Sequence, residues 1–196
     1  MIKLKRKVFN ALADNALFRR DLKMVAYRLD GVEGIRNIIG MQGFKQVLLI
    51  FCDNKKNISE FIEKIKIILY SLCFDEDIVE SMRHLNDGFE NRKKEIIYHL
   101  YCIDNEILKI MKQIPQGYRE IGDRMSIDCS PERSRDIVRS SLTKEINGID
   151  VNCELHTKMK RLTSNAPDRV YFCPQLPMEI GENGGQTYIY KITKHA

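Results

Sequence analysis

Residues 43–73 read GFKQVLLIFCDNKKNISEFIEKIKIILYSLC, and this stretch decides the expected fold class. Its first half, residues 47–52, is a short apolar run between Gly43 and the polar pair Asp53-Asn54, which predicts a buried β-strand. A strand that is apolar on both faces needs other elements packed against both faces. We therefore expect an α+β (mixed α/β) fold, with a sheet of five to seven strands covered by four to six helices.

The second half of the stretch predicts an amphipathic helix with a defined start. Asn57 is expected to cap this helix, because its side chain can accept backbone N–H groups of the first turn. Glu60 follows three residues later, as in a capping box. Apolar residues then recur on one face, at Ile58, Phe61, Ile62, Ile65, Ile68, Leu69 and Leu72.

Periodicity and turn residues predict the other elements. Helices are expected over residues 2–18, 32–39, 76–85 and 104–114, and from an N-cap at Ser130 to a stop at Asn147-Gly148. Strands are expected over residues 22–29, 95–103, 117–121, 149–155, 169–173 and 187–193. Four of the five prolines follow residue 116. We therefore predict an α/β domain of residues 1–115 and a smaller α+β subdomain of residues 116–196.

The composition indicates a cytoplasmic protein. No stretch approaches the roughly 18 uninterrupted apolar residues of a membrane span, and the basic start is not followed by the apolar core of a secretory signal. The six cysteines are spread singly without a CxxC pair, which predicts reduced thiols and no metal site. An excess of Ile, Lys and Asn is typical of an AT-rich genome, such as that of a low-GC microbe or a phage.

Positive charge is concentrated at the amino terminus. Residues 1–28 carry eight Lys and Arg against two Asp, a net charge of +6, whereas the whole chain has +5. Such an arm favours an acidic partner, either nucleic acid or an acidic protein. Together with basic residues after Ser130 and His156, it predicts phosphate contacts. The expected contact residues are Lys3, Lys5, Arg6, Lys7, Arg19, Arg20, Arg135, Arg139, Lys158, Lys160 and Arg161.

The familiar catalytic motifs are missing from the sequence. It contains no GxxxxGK[ST], GxGxxG, HExxH or GxSxG pattern. Arg92 and His99 have roughly the separation of the Arg–His pair of some ribonucleases, but His99 falls in the predicted strand 95–103, so no shared helical face is expected. His99 and His156 also lack the HxT or HxS pattern of phosphodiesterases that hold phosphate between two imidazoles. We therefore expect no catalytic histidine pair.

The carboxy-terminal segment offers an enzymatic alternative. It orders a strand with Arg119, a helix, a strand with Tyr171, an acidic turn with Glu182 and a final strand over 187–193. This order resembles the mono-ADP-ribosyltransferase fold, in which a polar residue on the first strand holds NAD, a tyrosine stacks on nicotinamide and a glutamate stabilises the oxocarbenium-like transition state. The resemblance implies these roles for Arg119, Tyr171 and Glu182, with NAD as cofactor, although the STS and ExE or QxE motifs are absent.

Three functional classes therefore stay open. The lack of a complete catalytic set favours a non-enzymatic nucleic-acid-associated or assembly protein that docks through its basic arm and needs no cofactor. An NAD-dependent transferase with its site in the carboxy-terminal half is the first alternative. A structural component of a homo- or hetero-oligomeric assembly is the second.

Overall fold

The computed structural model describes Cys52, residues 57–113 and residues 117–195. The chain divides into two compact units between Ile68 and Leu69. The described residues form five α-helices, a five-stranded mixed sheet and a two-stranded sheet, which confirms the expected α+β fold. The predicted boundary between residues 115 and 116 stays a prediction. The elements expected over 2–18, 22–29, 32–39 and 47–51 lie outside the described residues.

The first unit contributes helix α1, Ile58–Ile68. The side-chain oxygen of Asn57 accepts the backbone N–H groups of Ser59 at 2.8 Å and Glu60 at 3.4 Å, which confirms the predicted cap. The helix ends at Ile68, so it is shorter than the apolar stripe to Leu72 suggests. Cys52 is helical, so the strand predicted over 47–52 is wrong at that residue.

The second unit contains the sheets. Its central sheet has the order β1-β7-β6-β5-β2, in which β1 and β7 are parallel and the other neighbours antiparallel. None of the described helices is long and apolar enough to cross a bilayer. The elements are β1 (Leu72–Phe74), α2 (Ile78–Met82), α3 (Phe89–Gln113), α4 (Tyr118–Arg124), β2 (Cys129–Pro131), α5 (Arg135–Ser141), β3 (Thr143–Ile146), β4 (Ile149–Asn152), β5 (Leu155–Lys158), β6 (Arg169–Cys173), a 3-10 helix (Met178–Ile180) and β7 (Thr187–Thr193).

Two predicted strands are helices in the structure. The expected strand over 95–103 belongs to the 25-residue helix α3, because its buried residues Ile96, Leu100, Ile103 and Ile107 follow helical spacing. The expected strand over 117–121 is helix α4. Gly122 lets α4 pack tightly on β2, since a Cβ there would lie 2.6 Å from the carbonyl oxygen of Cys129.

The region after Ser130 also differs from its prediction. Ser130 and Pro131 belong to strand β2, and the helix begins later, where the side chain of Ser134 accepts the N–H of Ile137. Asn147 and Gly148 do not stop a helix but form the hairpin turn between β3 and β4. Both have positive φ, 52° and 79°, as a type I′ turn requires. The strands predicted over 169–173 and 187–193 are confirmed as β6 and β7.

Different elements pack against the two faces of the central sheet. Neighbouring residues of a strand point to opposite faces, so His156 and Thr157 of β5 face opposite sides. The Thr157 hydroxyl lies 2.7 Å from Nδ1 of His99, which places α3 on the Thr157 side. A buried cluster that includes Leu142, Val151 and Tyr171 belongs to the His156 side. The candidate site lies on this second side.

The six cysteines are free thiols, and five of them are buried. Burial raises the pKa of the Cys129 thiol to about 12 and also raises the pKa of Cys153. These thiols are therefore protonated near neutral pH, and they pack as small apolar side chains.

A buried ion network joins the start of α3 to the start of β6. Arg92 donates from Nε to Asp168 Oδ2 at 2.9 Å and from Nη1 to Glu95 Oε2 at 2.6 Å, and its Nη2 pairs with Asp87. The other oxygen of Asp168 accepts the backbone N–H of Asn86 at 2.8 Å. Arg92 is fully buried and each of its three side-chain nitrogens has a carboxylate partner, so this network serves the fold.

Candidate anion-binding site

Strands β2, β5 and β6 bring polar side chains together on one face of the sheet. His156 pairs across the strands with Ser130 on one side and Tyr171 on the other, and Lys158 pairs with Arg169. The cavity over this face, of about 300 Å³, is here called the His156 cavity. It is lined by Ser130, Pro131, Glu132, Arg133, His156, Lys158, Arg169 and His195.

A second cavity of about 400 Å³ shares the wall formed by residues 130–133. Arg119 and Asp123 of helix α4 complete its lining, and it is here called the Arg119 cavity. The two cavities therefore have four lining residues in common: Ser130, Pro131, Glu132 and Arg133.

Glu132 is the fixed anion of the site. Its Oε1 accepts the backbone N–H groups of Arg133 at 2.8 Å and Ser134 at 3.1 Å, and its Oε2 lies 3.2 Å from Nη1 of Arg169. Burial alone would raise the pKa of this carboxyl, but the two N–H groups and the nearby cations outweigh burial and hold the pKa below its ordinary value. Glu132 is therefore ionised and held in place.

Arg169 lines the His156 cavity and has one unused donor. Its Nη1 bonds to Glu132 and lies 3.3 Å from the hydroxyl of Tyr171. Its Nε is buried and has no hydrogen-bond partner. A buried donor without a partner costs roughly 1–3 kcal/mol, so a ligand that accepts this N–H recovers that free energy.

His156 carries an unused acceptor. Its Nδ1 lies 3.1 Å from the carbonyl oxygen of Glu154, and a carbonyl only accepts, so Nδ1 bears the proton. Burial, helped by the Arg169 cation, lowers the pKa of His156 to about 4, so the ring is neutral at pH 7. Its Nε2 is therefore a bare lone pair, buried and without a hydrogen-bond partner.

The charge of the lining favours an anionic ligand. The charged side chains of the His156 cavity are three cations (Arg133, Lys158 and Arg169) and one carboxylate (Glu132), a net charge of +2 before any charge on the histidines is counted. Lys158 also reaches Asp128 at 3.2 Å, but that carboxylate is largely exposed, so the pair is weak. The His156 cavity thus combines positive charge, one free donor and one free acceptor.

The structure brings part of the predicted phosphate-binding set to this place. Lys158 lines the His156 cavity. Arg135, at the start of α5, lines neither cavity, and its Nη1 lies 3.1 Å from Oε2 of Glu154. Arg139 is exposed on α5 and Lys160 and Arg161 are exposed after β5, and none of the three lines either cavity. The remaining predicted residues, Lys3, Lys5, Arg6, Lys7, Arg19 and Arg20, lie outside the described residues.

The residues implied by the transferase resemblance are not assembled into one site. Arg119 lies on helix α4, not on a strand, and lines the Arg119 cavity. Tyr171 is fully buried, so its ring offers no face for stacking on nicotinamide, and its hydroxyl contacts Arg169. Glu182 is exposed in the turn before β7 and lines neither cavity.

The reason given above against an Arg92–His99 pair is wrong, because both residues lie on helix α3. The side chains of Arg92 and His99 are nevertheless bonded to other residues and not to each other. Arg92 is bound to three carboxylates, and His99 contacts Thr157 on the opposite face of the sheet. Neither residue lines the two cavities.

Sequence reasoning missed Glu132, His156, Arg169 and His195 as site residues. For His156 and Arg169 the sequence does contain a pattern that could have indicated the site. In His156-x-Lys158 and Arg169-x-Tyr171, the i, i+2 spacing places two polar groups on one face of a strand. Their meeting depends on the pairing of β5 with β6, which the sequence alone does not specify.

Comparisons with known proteins give no match, so the function is inferred from the site itself. No known protein family matches the sequence, and neither the curated proteins nor the solved structures yield a similar protein. Across 57–113 and 117–195, no group of three or more His, Cys, Asp and Glu side chains is arranged to hold a metal ion.

Proposed function

We propose that the protein binds nucleic acid through its phosphate groups, with one phosphate seated in the His156 cavity. The observation that carries the proposal is the buried, unpaired Nε–H of Arg169, a residue that lines a cavity with a net charge of +2. Phosphate oxygens accept charge-assisted hydrogen bonds from guanidinium groups, and such bonds are about twice as strong as neutral ones. A phosphate would therefore satisfy both the charge and the unpaired donor.

The neighbouring charges support a polymer with repeated anionic groups. Arg119 lines the Arg119 cavity, which shares residues 130–133 with the His156 cavity, and Arg135 follows two residues after Arg133 at the start of α5. A single small anion would use the central cations alone, whereas a nucleic-acid strand presents a phosphate at each nucleotide. Consecutive phosphates can thus contact Arg135, Arg169 with Lys158, and Arg119 with Arg133.

The basic amino-terminal arm belongs to the same proposal as a second contact region. Lys3, Lys5, Arg6 and Lys7 would add sequence-independent phosphate contacts, and a cytoplasmic location would give access to nucleic acid. Docking onto an acidic protein, or assembly into an oligomer, is the competing outcome of the test below.

Removal of two lining cations is expected to flatten the salt dependence of binding. In the R133A/K158A variant, the slope of log Kobs against log salt should fall in magnitude by about 2. Binding releases about one counterion for each phosphate that a Lys or Arg contacts, and the variant loses two such contacts. The measurement is fluorescence anisotropy with single- and double-stranded oligonucleotides from about 50 to about 200 mM salt.

The matched control is K109A/K112A, which removes the same charge from exposed positions of α3. This helix covers the Thr157 side of the sheet, away from the His156 cavity. The control should keep the wild-type slope. If wild-type protein binds no oligonucleotide, or if both double variants change the slope equally, the proposed site is wrong.

A further inference from the structure

We propose that the His156 cavity is a ribonuclease site, in which Nε2 of His156 takes the proton of a ribose 2′-hydroxyl while Arg169 holds the adjoining phosphate. The inference rests on the proposed nucleic-acid binding. It adds a substrate class, RNA, and a reaction, cleavage of the chain by attack of its own 2′-oxygen.

The free hydrogen-bonding groups of the cavity fit RNA better than DNA. Two residues that line the cavity carry unpaired buried groups, the acceptor Nε2 of His156 and the donor Nε–H of Arg169. His156 and Arg169 are diagonal neighbours on β5 and β6, a spacing of roughly 7–8 Å between backbone positions that long side chains bridge. In RNA, a donor (the 2′-hydroxyl) stands next to an acceptor (the 3′-phosphate), whereas DNA lacks the donor.

The protonation state of His156 suits a general base. Its Nδ1–H is held by the carbonyl of Glu154, which fixes the ring and directs the lone pair to Nε2. A bound phosphate anion favours the imidazolium, so it raises the low pKa of His156 toward the range where proton abstraction is efficient. Both free atoms are buried in the unliganded chain, so lining side chains have to shift as RNA enters.

The step balances without an oxidant, a reductant or a further reactant. The 2′-oxygen forms a bond to phosphorus as the bond from phosphorus to the 5′-oxygen of the next nucleotide breaks. The 2′-hydroxyl proton moves to Nε2 of His156, and the departing 5′-oxygen takes a proton from the imidazolium of His195. The products are a 2′,3′-cyclic phosphate end and a 5′-hydroxyl end. Proton exchange with water then restores the starting states, because His156 loses the proton that it took and His195 regains one.

Two further residues hold these groups in place. The Glu132 carboxylate lies 3.9 Å from Nε2 of His195 and 3.2 Å from Arg169, so it stabilises the imidazolium and orients the guanidinium. Tyr171 bonds to Arg169, and its ring centre lies 5.1 Å from that of His156. Glu132 and Tyr171 are therefore positioning residues.

The test compares cleavage of single-stranded RNA with cleavage of a 2′-O-methyl RNA of the same sequence by the full chain. Mass spectrometry is expected to find 2′,3′-cyclic phosphate ends from RNA alone. The H156Q variant should cleave at least about 100-fold more slowly, because a general base contributes 10²–10⁴-fold. The H99Q variant, prepared in parallel, should keep the wild-type rate, since His99 is an equally buried histidine on the other face of the sheet.

Binding to the 2′-O-methyl RNA separates the two proposals. Wild-type protein that binds both RNAs but cleaves neither overturns the ribonuclease inference and leaves phosphate binding intact. Protein that binds neither overturns the proposed function. Should H156Q unfold, H195A supplies the second variant, because the side chain of His195 is 35% exposed. Unchanged cleavage in H195A, or in a folded H156Q, contradicts the mechanism.

Discussion

Replacement of Arg92 by methionine is expected to lower the free energy of unfolding by about 3–5 kcal/mol. Arg92 is fully buried and forms ion pairs with the carboxylates of Asp87, Glu95 and Asp168. Methionine keeps the length of the side chain but removes the charge and the donors. Buried carboxylates would then lack their cation, which costs far more than the loss of an exposed ion pair.

Urea unfolding at pH 7 measures this effect. The control is R83M, which removes an arginine whose side chain is 63% exposed and whose partner, Glu80, is equally exposed. This second replacement should change the stability by less than about 0.5 kcal/mol. A loss below about 1 kcal/mol in R92M would show that the network is open to water, contrary to the burial described here.

Acid is expected to destabilise the second unit through two buried histidines. Burial is the main cause that lowers the pKa of both His99 and His156 to about 4, against 6.5 for an unperturbed histidine. Between these values the unfolded chain binds a proton that the folded chain rejects, so stability falls as pH falls from about 6.5 to about 4. A difference of about 2.5 pKa units corresponds to about 3 kcal/mol for each histidine.

The pH window separates this effect from that of the acidic groups. Arg92, Glu95 and Asp128 surround His99, and Arg169, Glu132 and Lys158 surround His156. The pKa of Glu132 is lowered, so its contribution is lost below the range where the histidines titrate. Denaturant unfolding between pH 7 and pH 4.5 should therefore show a steep loss of stability in the wild-type protein.

The same series on H99Q/H156Q provides the control, because glutamine does not titrate. The double variant is expected to be less stable at pH 7, but its stability should depend much less on pH above about 4.5. A wild-type stability that is flat across this range would mean that the two rings titrate alike in the folded and the unfolded chain, which contradicts the lowered pKa of both histidines.

Parts of the fold with strong local signals were predictable from the sequence. Helix α1 combines a cap at Asn57 with apolar residues on one face, and strands β6 and β7 match their predicted limits at Arg169–Cys173 and Thr187–Thr193. In these segments, local preference and tertiary packing favour the same structure.

Other segments have sequence patterns that are compatible with two different secondary structures. The run from Ile96 to Ile103 is apolar enough for a strand, and its continuation as a helix is decided by packing against the sheet. Asn147-Gly148 ends a helix or closes a hairpin equally well, and the pairing of β3 with β4 selects the hairpin.

The candidate site was the least predictable part. Glu132, His156 and Arg169 belong to three separate segments, and strand register brings them to one cavity. Their roles also depend on hydrogen bonds that no motif records, such as the carbonyl of Glu154 that fixes the tautomer of His156.

The most direct test of phosphate binding in the His156 cavity is an NMR titration of the ¹⁵N-labelled protein with the 2′-O-methyl RNA. The Nε–H of Arg169 and the Nε2 of His156 are both without partners in the unliganded chain, so both signals report on the ligand. We expect these two signals to shift saturably, while the ring signals of His99, on the other face, stay in place. Bound RNA that leaves the Arg169 signal unmoved would place the phosphates elsewhere and contradict the account.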